Sequence, residues 1–208
     1  MSQTSEKPAD KSERWRRYYE KTRDRPPRGT LLLALERFEE EGRAPGFAVD
    51  LGSGGGRDVV ELLRRGWRVL AVDAEATAIE AIRKRPDLPA TGELETLVSR
   101  FEDAEWPACD LVNSSFALPL CPRDRFPAMW RRIIDSLRPG GRFSGQLYGE
   151  RDDWAGDPSN THLTRAEAEA LLDGLEVERF EEEEDESTTP RGTVKHWHVF
   201  HIVARKPG

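Results

Sequence analysis

Cysteine is nearly absent from this chain: 208 residues contain two, Cys109 and Cys121. Two thiols are too few for a disulfide framework and stand in no metal-ligand spacing, so they read as ordinary reduced thiols. Long apolar runs are missing as well, and nothing approaches the roughly 20 residues that cross a bilayer. The opening Met1-Ser-Gln-Thr-Ser-Glu-Lys-Pro-Ala-Asp10 lacks the apolar centre of a secretory signal. Nor is there an excess of basic charge. The formal net charge is −7, which argues against general affinity for nucleic acid, whose phosphates demand a basic footprint. What remains is the expectation of a cytoplasmic protein with one domain, long enough to bury a full core.

Glycine, by contrast, is concentrated where it informs. Val49-Asp50-Leu51-Gly52-Ser53-Gly54-Gly55-Gly56-Arg57-Asp58 sets an acid and a glycine-rich turn between two patterns. The first is an apolar strand, Phe47 to Leu51; the second is a helix with Val59, Val60, Leu62 and Leu63 on one face. Glycines let the backbone pass close to a ligand, and the helix N-terminus points free N–H groups into the same crevice. A second apolar run, Val69 to Val72, ends in Asp73, where an acid at a strand's C-terminal end can take two ribose hydroxyls. This βαβ unit reads as a nucleoside-cofactor site. A dinucleotide fingerprint, G-x-G-x-x-G counted from Gly52, would need glycine where Arg57 stands. An acid beside the turn repels a pyrophosphate and welcomes a cationic amino-acid moiety.

The βα alternation continues along the chain. Leu31, Leu32, Leu35 and Phe38 mark a helix before the first strand, ending near Glu41-Gly42. Thr77-Ala78-Ile79-Glu80 and Thr164-Arg-Ala-Glu167 read as capping boxes, the second opening a helix that runs to Asp173-Gly174. Further strands are expected from Leu94 to Phe101, from Cys109 to Asn113 and from Arg142 to Leu147, with a helix around Met129 to Leu137 between the last two. Leu175 to Glu182 and Val194 to Arg205 have no helix between them and should pair as an antiparallel hairpin at the sheet edge. The expected fold is α/β: a Rossmann-like, seven-stranded, mostly parallel sheet with an antiparallel last strand and helices on both faces. The acidic run Glu181 to Glu186 reads as a solvated strand end and loop.

The Asp-x-Gly-x-Gly-x-Gly turn resembles motif I of the class I S-adenosylmethionine-dependent methyltransferases, whose cofactor carries an ammonium and a sulfonium but no phosphate. Leu137-Arg-Pro-Gly-Gly-Arg-Phe143 looks like that family's helix-to-fifth-strand connection, and Asp110-Leu-Val-Asn113 resembles its fourth strand. The layout is similar to the small tellurite-resistance-type methyltransferases. The resemblance implies S-adenosyl-L-methionine as cofactor. Asp50, Gly52, Ser53 and Gly54 would line its methionine end, with Gly55 and Gly56 allowing close approach. Asp73 would take the ribose hydroxyls, Ala74 would pack under adenine, and Asn113 and Ser114 would sit near the sulfonium. Many members place an acid at the position of Arg100-Phe101; here Glu102 and Asp103 come slightly later, so Phe101 and Glu102 are the adenine candidates.

The basic segment Lys11 to Arg28 interleaves Trp15, Tyr18 and Tyr19 with arginines at helical spacing. An amphipathic helix that packs its aromatics on the domain suffices for that pattern, and lids over cofactors are built the same way. Residues 1–28 are taken as a lid, with Tyr19 over the cofactor and Tyr18 on the substrate side, and residues 29–208 as the methyltransferase domain. Arg25 and Arg28 suit an anionic acceptor. Gln146, Trp154, His162, His196 and His198 are further acceptor-side candidates, with His198 preferred among the histidines; Tyr19 and His198 are also the catalytic candidates. His196-x-His198 lacks a nearby third ligand, so no metal is expected. The expected function is methyl transfer to a small molecule by in-line displacement, without nucleic acid or membrane as partner. A macromolecular (RNA or protein) methyltransferase and a cofactor-binding protein without catalysis are the alternatives; the acceptor and oligomeric state are not specified by the sequence.

Overall fold

The computed structural model describes residues 13, 19, 21, 22, 24–90, 92–189 and 192–208. Helix α1 spans Gly29–Glu40 and leads into strand β1, Phe47–Leu51. Then follow α2 (Arg57–Arg64), β2 (Arg68–Asp73), α3 (Ala76–Arg83), β3 (Glu93–Val98) and β4 (Cys109–Ser114). The second half contains α4 (Phe126–Ser136), β5 (Leu137–Gly149), β6 (His162–Leu163), α5 (Arg165–Ala170), β7 (Glu176–Thr188) and β8 (Val194–Arg205).

The strands form one sheet in the order β3-β2-β1-β4-β5-β8-β7, with β6 beside β5. β1 to β5 run parallel, and β8 inserts antiparallel between β5 and β7. β1 is buried on both faces, which is why it is apolar throughout except at Asp50. Val49, Leu51, Val72 and Phe143 face Met129, Trp130 and Ile133 of α4. On the opposite face Ala48, Val69, Ala71 and Leu111 pack with side chains of α1, α2 and α3. This arrangement carries the C-terminal ends of β1, β2, β4 and β5 to one rim of the sheet.

The expected α/β architecture and terminal hairpin are present, and several local expectations need correction. An eighth strand exists: β6 is only two residues long and pairs through Tyr148↔His162 and Gly149↔Leu163, too short for a sequence pattern to mark. The box at Thr77 does not form. Glu75 takes the extended cap conformation and its N–H meets Asp73 Oδ1 at 2.9 Å, so the helix starts at Ala76 and Thr77 falls inside the first turn. The box at Thr164 forms in full, but its helix stops at Ala170. β5 begins at Leu137, ahead of the Pro-Gly-Gly turn, because Leu137 pairs with Cys109 of β4, and Gly140 and Gly141 carry the strand on by pairing with the backbone of Lys206.

Candidate active site

The glycine turn hangs from the end of β2. Gly52 and Ser53 donate their N–H groups to Val72 O at 2.8 and 3.0 Å, and Gly56 N–H closes on Ser53 O at 2.9 Å. Gly52 has φ +70° and Gly54 φ +51°, conformations that disfavour a side chain. A Cβ at Gly52 would run into Ala117, and one at Gly54 would meet the Tyr19 ring at 3.2 Å. The turn borders a pocket lined by Tyr19, Thr22, Asp50, Gly52, Ser53, Gly54, Gly55, Arg57, Asp58 and Ser115.

Asp50 is buried beneath this turn. Its Oδ1 accepts from Asn113 Nδ2 at 2.7 Å, while Oδ2 is buried without a hydrogen-bond partner among the described residues. Burial pushes the carboxyl up to about 8, and the charge of Asp58 adds to the rise. Such a group is costly to ionise unless a cation meets it. Ser53 Oγ, at the same pocket, is also buried without a hydrogen-bond partner among the described residues. An α-ammonium therefore fits the free oxygen, whereas a pyrophosphate would face Asp50, Asp58 and Asp73 together.

Asp73 holds the turn's other side. Its Oδ2 accepts from Gly54 N–H at 2.9 Å, and its Oδ1 from Glu75 N–H at 2.9 Å and from Tyr19 OH at 3.5 Å. Burial raises its carboxyl above the ordinary value, with the two backbone N–H groups and the Tyr19 hydroxyl pulling the other way. Tyr19 is 6% exposed; Tyr18 and Trp15 lie outside the described residues. Ala74 is exposed beside Asp73. Phe101 packs against the core, and buried Glu102 accepts from Arg100 Nε at 2.5 Å; neither lines the pocket.

Asp58, not singled out by the sequence, is the joint of the site. It accepts from Arg28 N–H at 3.1 Å, Ser115 Oγ at 2.5 Å and Asn113 Nδ2 at 3.3 Å. The available signal was an acid in the first turn of the helix after the glycines, where the helix dipole favours it. Asn113 bridges Asp50 and Asp58 and accepts from Ser144 Oγ at 2.7 Å. Ser114 Oγ is engaged internally, donating to Leu51 O and accepting from Leu118 N–H, both at 3.1 Å. Ser115 lines the pocket instead.

Beyond Ser115 the chain turns at Phe116, whose φ of 57° is positive although it is not glycine. Its N–H donates to Gln146 Oε1 at 3.2 Å, and Gln146 Nε2 donates to Thr30 Oγ1 at 2.9 Å. Gln146 is thus buried and committed to a bridge. The Arg28 guanidinium stacks 4.2 Å from the Phe116 ring centre; Arg25 is exposed. Trp154 packs with Tyr148 and Trp197. His198 is placed away from this cluster. It lies fully buried on the sheet face that carries Phe200, with Nδ1 accepting from Arg151 N–H at 3.2 Å and Nε2 2.8 Å from Glu182 Oε1. His196 meets Glu184 at 3.0 Å, and His162 stacks on Tyr148. The histidine near the rim is His201, 6.2 Å from the Phe116 ring and paired with Glu183 at 2.7 Å.

A family model described as methyltransferase domain matches residues 48–141. No curated protein matches the sequence. Among solved structures, TehB from Haemophilus influenzae superposes with a TM-score of 0.72 at 19% identity, over 86% of this chain and 62% of TehB, so this chain spans less than two thirds of that protein. The N-methyltransferase NodS from Bradyrhizobium japonicum WM9, solved with S-adenosyl-L-homocysteine, gives 0.64 at 15% identity, over 93% of this chain and all of NodS (100%). Magnesium protoporphyrin IX methyltransferase from Synechocystis PCC 6803, solved with bound S-adenosylmethionine, gives 0.61 at 14% identity, over 99% and 86%. These identities speak for the fold, and the matched segment contains the glycine turn, Asp50 and Asp73. Residues 48–141 thus match a methyltransferase domain, and the chain has the fold of the class I S-adenosylmethionine-dependent methyltransferases.

Proposed function

We propose that this chain transfers the methyl group of S-adenosylmethionine to a small-molecule acceptor carrying an anionic group. The observation that carries the cofactor reading is Asp50 Oδ2, a buried carboxylate oxygen beneath the glycine turn without a hydrogen-bond partner among the described residues. The cofactor supplies an activated methyl: a lone pair on the acceptor bonds to it as the carbon–sulfur bond breaks, leaving neutral S-adenosylhomocysteine. The chain's own part is positioning and exclusion of water. Asp50 holds the ammonium, fixed by Asn113. Asp73, which Tyr19 already meets, takes the ribose hydroxyls. Residues 1–28 act as the lid, anchored where Arg28 N–H binds Asp58. Arg28 beside Phe116 supplies positive charge at the acceptor's side.

The formal charge of −7 and the acidic β7 disfavour a nucleic-acid substrate. No helix among the described residues is long and apolar enough to cross a membrane. Cys109 and Cys121 are buried, their thiols pushed up to about 11 and about 12 by burial, which keeps them unreactive and leaves them no part in the transfer. Calorimetry should show binding of S-adenosylhomocysteine and none of NAD. Release of S-adenosylhomocysteine over a panel of small anions then tests catalysis. Binding without turnover on small molecules, RNA or protein would mark a cofactor-binding protein instead. Deleting the residues before Gly29 should cost turnover far more than thermal stability; full turnover in that variant would contradict the lid.

A further inference from the structure

We infer that Arg57 holds the α-carboxylate of the cofactor's amino-acid end, so that Arg57 and Asp50 together select a zwitterion. This rests on the methyl-transfer reading above and names a further specificity-determining residue of the same site. Arg57 stands at the first position of α2, directly after the glycine turn, and lines the same pocket as Asp50 and Ser53. Its side chain is only 16% exposed. A guanidinium enclosed to that degree is costly to leave without an anion.

The neighbouring acid does not satisfy it. Arg57 Nε lies 3.8 Å from Asp58 Oδ1, beyond hydrogen-bond reach. Asp58 is already filled: Oδ1 accepts from Arg28 N–H, and Oδ2 from Ser115 Oγ and Asn113 Nδ2. Among the described residues no other carboxylate pairs with Arg57.

The rest of the pocket fits the same anion. Ser53 Oγ, a hydroxyl able to donate, is buried there without a hydrogen-bond partner among the described residues. Gly56 at the N-cap offers no side chain to the first N–H groups of α2, which strengthens the preference for negative charge at that end. A pyrophosphate could use these donors, but it brings no cation for Asp50 Oδ2. An α-amino acid carries ammonium and carboxylate on one carbon and meets both. Charge also links the two halves: burial and Asp58 raise the Asp50 carboxyl, and Arg57 opposes them. Arg57 thus prepares Asp50 for the ammonium.

The test is calorimetry on the full chain with S-adenosylhomocysteine and its decarboxylated analogue, S-adenosyl-3-thiopropylamine, which keeps the ammonium and lacks the carboxylate. The native chain should bind S-adenosylhomocysteine about tenfold more tightly than the analogue. Arg57→Gln should weaken S-adenosylhomocysteine about tenfold and leave the analogue within about twofold, so that the variant no longer tells them apart. Arg57→Lys keeps a point charge without the paired donors and should discriminate to an intermediate degree. Equal affinity of the native chain for the two ligands overturns the assignment. So does an equal loss for both in Arg57→Gln, the result expected if the arginine only holds the turn. Failure of the native chain to bind S-adenosylhomocysteine overturns the methyl-transfer reading instead, and this inference falls with it.

Discussion

Asp50 couples a proton to the fold through one carboxyl, and under the proposed reading couples both to the cofactor. Its folded value of about 8 lies above the ordinary 3.8. The folded chain therefore keeps a proton that the unfolded chain releases, and this group's contribution to stability falls as pH rises across that window. Asp50→Asn removes the charge and keeps an acceptor for Asn113. It should melt higher than the native chain at about pH 8 and above, and alike below about pH 4, by scanning calorimetry. Because an ammonium favours the ionised form, affinity for S-adenosylhomocysteine should rise with pH up to about 8, by at most about tenfold per unit. A flat profile would remove Asp50 from the ammonium site. Asp73→Ala should lose about 1–3 kcal/mol of cofactor affinity by calorimetry, as charged hydrogen bonds are removed. These two acids were legible in the sequence because glycine turn and strand end lie within a few residues of them. Asp58 and Phe116 were not, since their partners at Arg28, Asn113, Ser115 and Gln146 come from other elements.

At the scale of elements, apolar periodicity carried the reading of the strands, and it failed where backbone partners decide. β6 has two residues and exists only because β5 offers it an edge. On β8 the period of two separated His196 and His198 from His201. Which face looks toward the site, however, is set by pairing: Gln146 lies opposite His201, and Tyr148 opposite Val199. The pattern alone left the faces equivalent, and the preference for His198 went to the side where Arg151 and Glu182 take its ring nitrogens. A Cβ on Gly149 would collide with that ring, so the imidazole also fills space. His198→Asn should therefore cost about 1–3 kcal/mol in urea unfolding, as for a buried hydrogen-bonded group, and leave S-adenosylhomocysteine affinity unchanged. A fall in affinity at native stability would return His198 to the site.

At the scale of the whole molecule, the site is an assembly of distant segments held by buried polar joints. Asp58 joins the start of α1 to β4, Gln146 joins α1 to the turn after β4, and Lys195 joins the hairpin to the segment after β5. The last is the most exposed to test, because both partners are buried, at 3% and 0% side-chain exposure. Burial pushes Asp152 upward, but His162, Lys195 and the Trp154 N–H outweigh it and hold the carboxyl below its usual range. Burial likewise lowers Lys195, with Asp152 opposing. Lys195→Met leaves a buried carboxylate whose remaining side-chain neighbour is His162, at 3.7 Å. Removing one member of such a pair costs about 3–5 kcal/mol, whereas replacing both with apolar groups is often near neutral. Lys195→Met should accordingly lower stability by about 3 kcal/mol in urea unfolding, and adding Asp152→Leu should restore most of it. The acid limb separates this joint from a passive contact. Asp152 stabilises the fold while ionised, above its unfolded value, and that contribution is lost as pH falls through its lowered folded value. The native chain should therefore lose stability toward low pH more steeply than the double variant. Parallel acid limbs would mean that the Lys195–Asp152 pair does not hold the hairpin to the site.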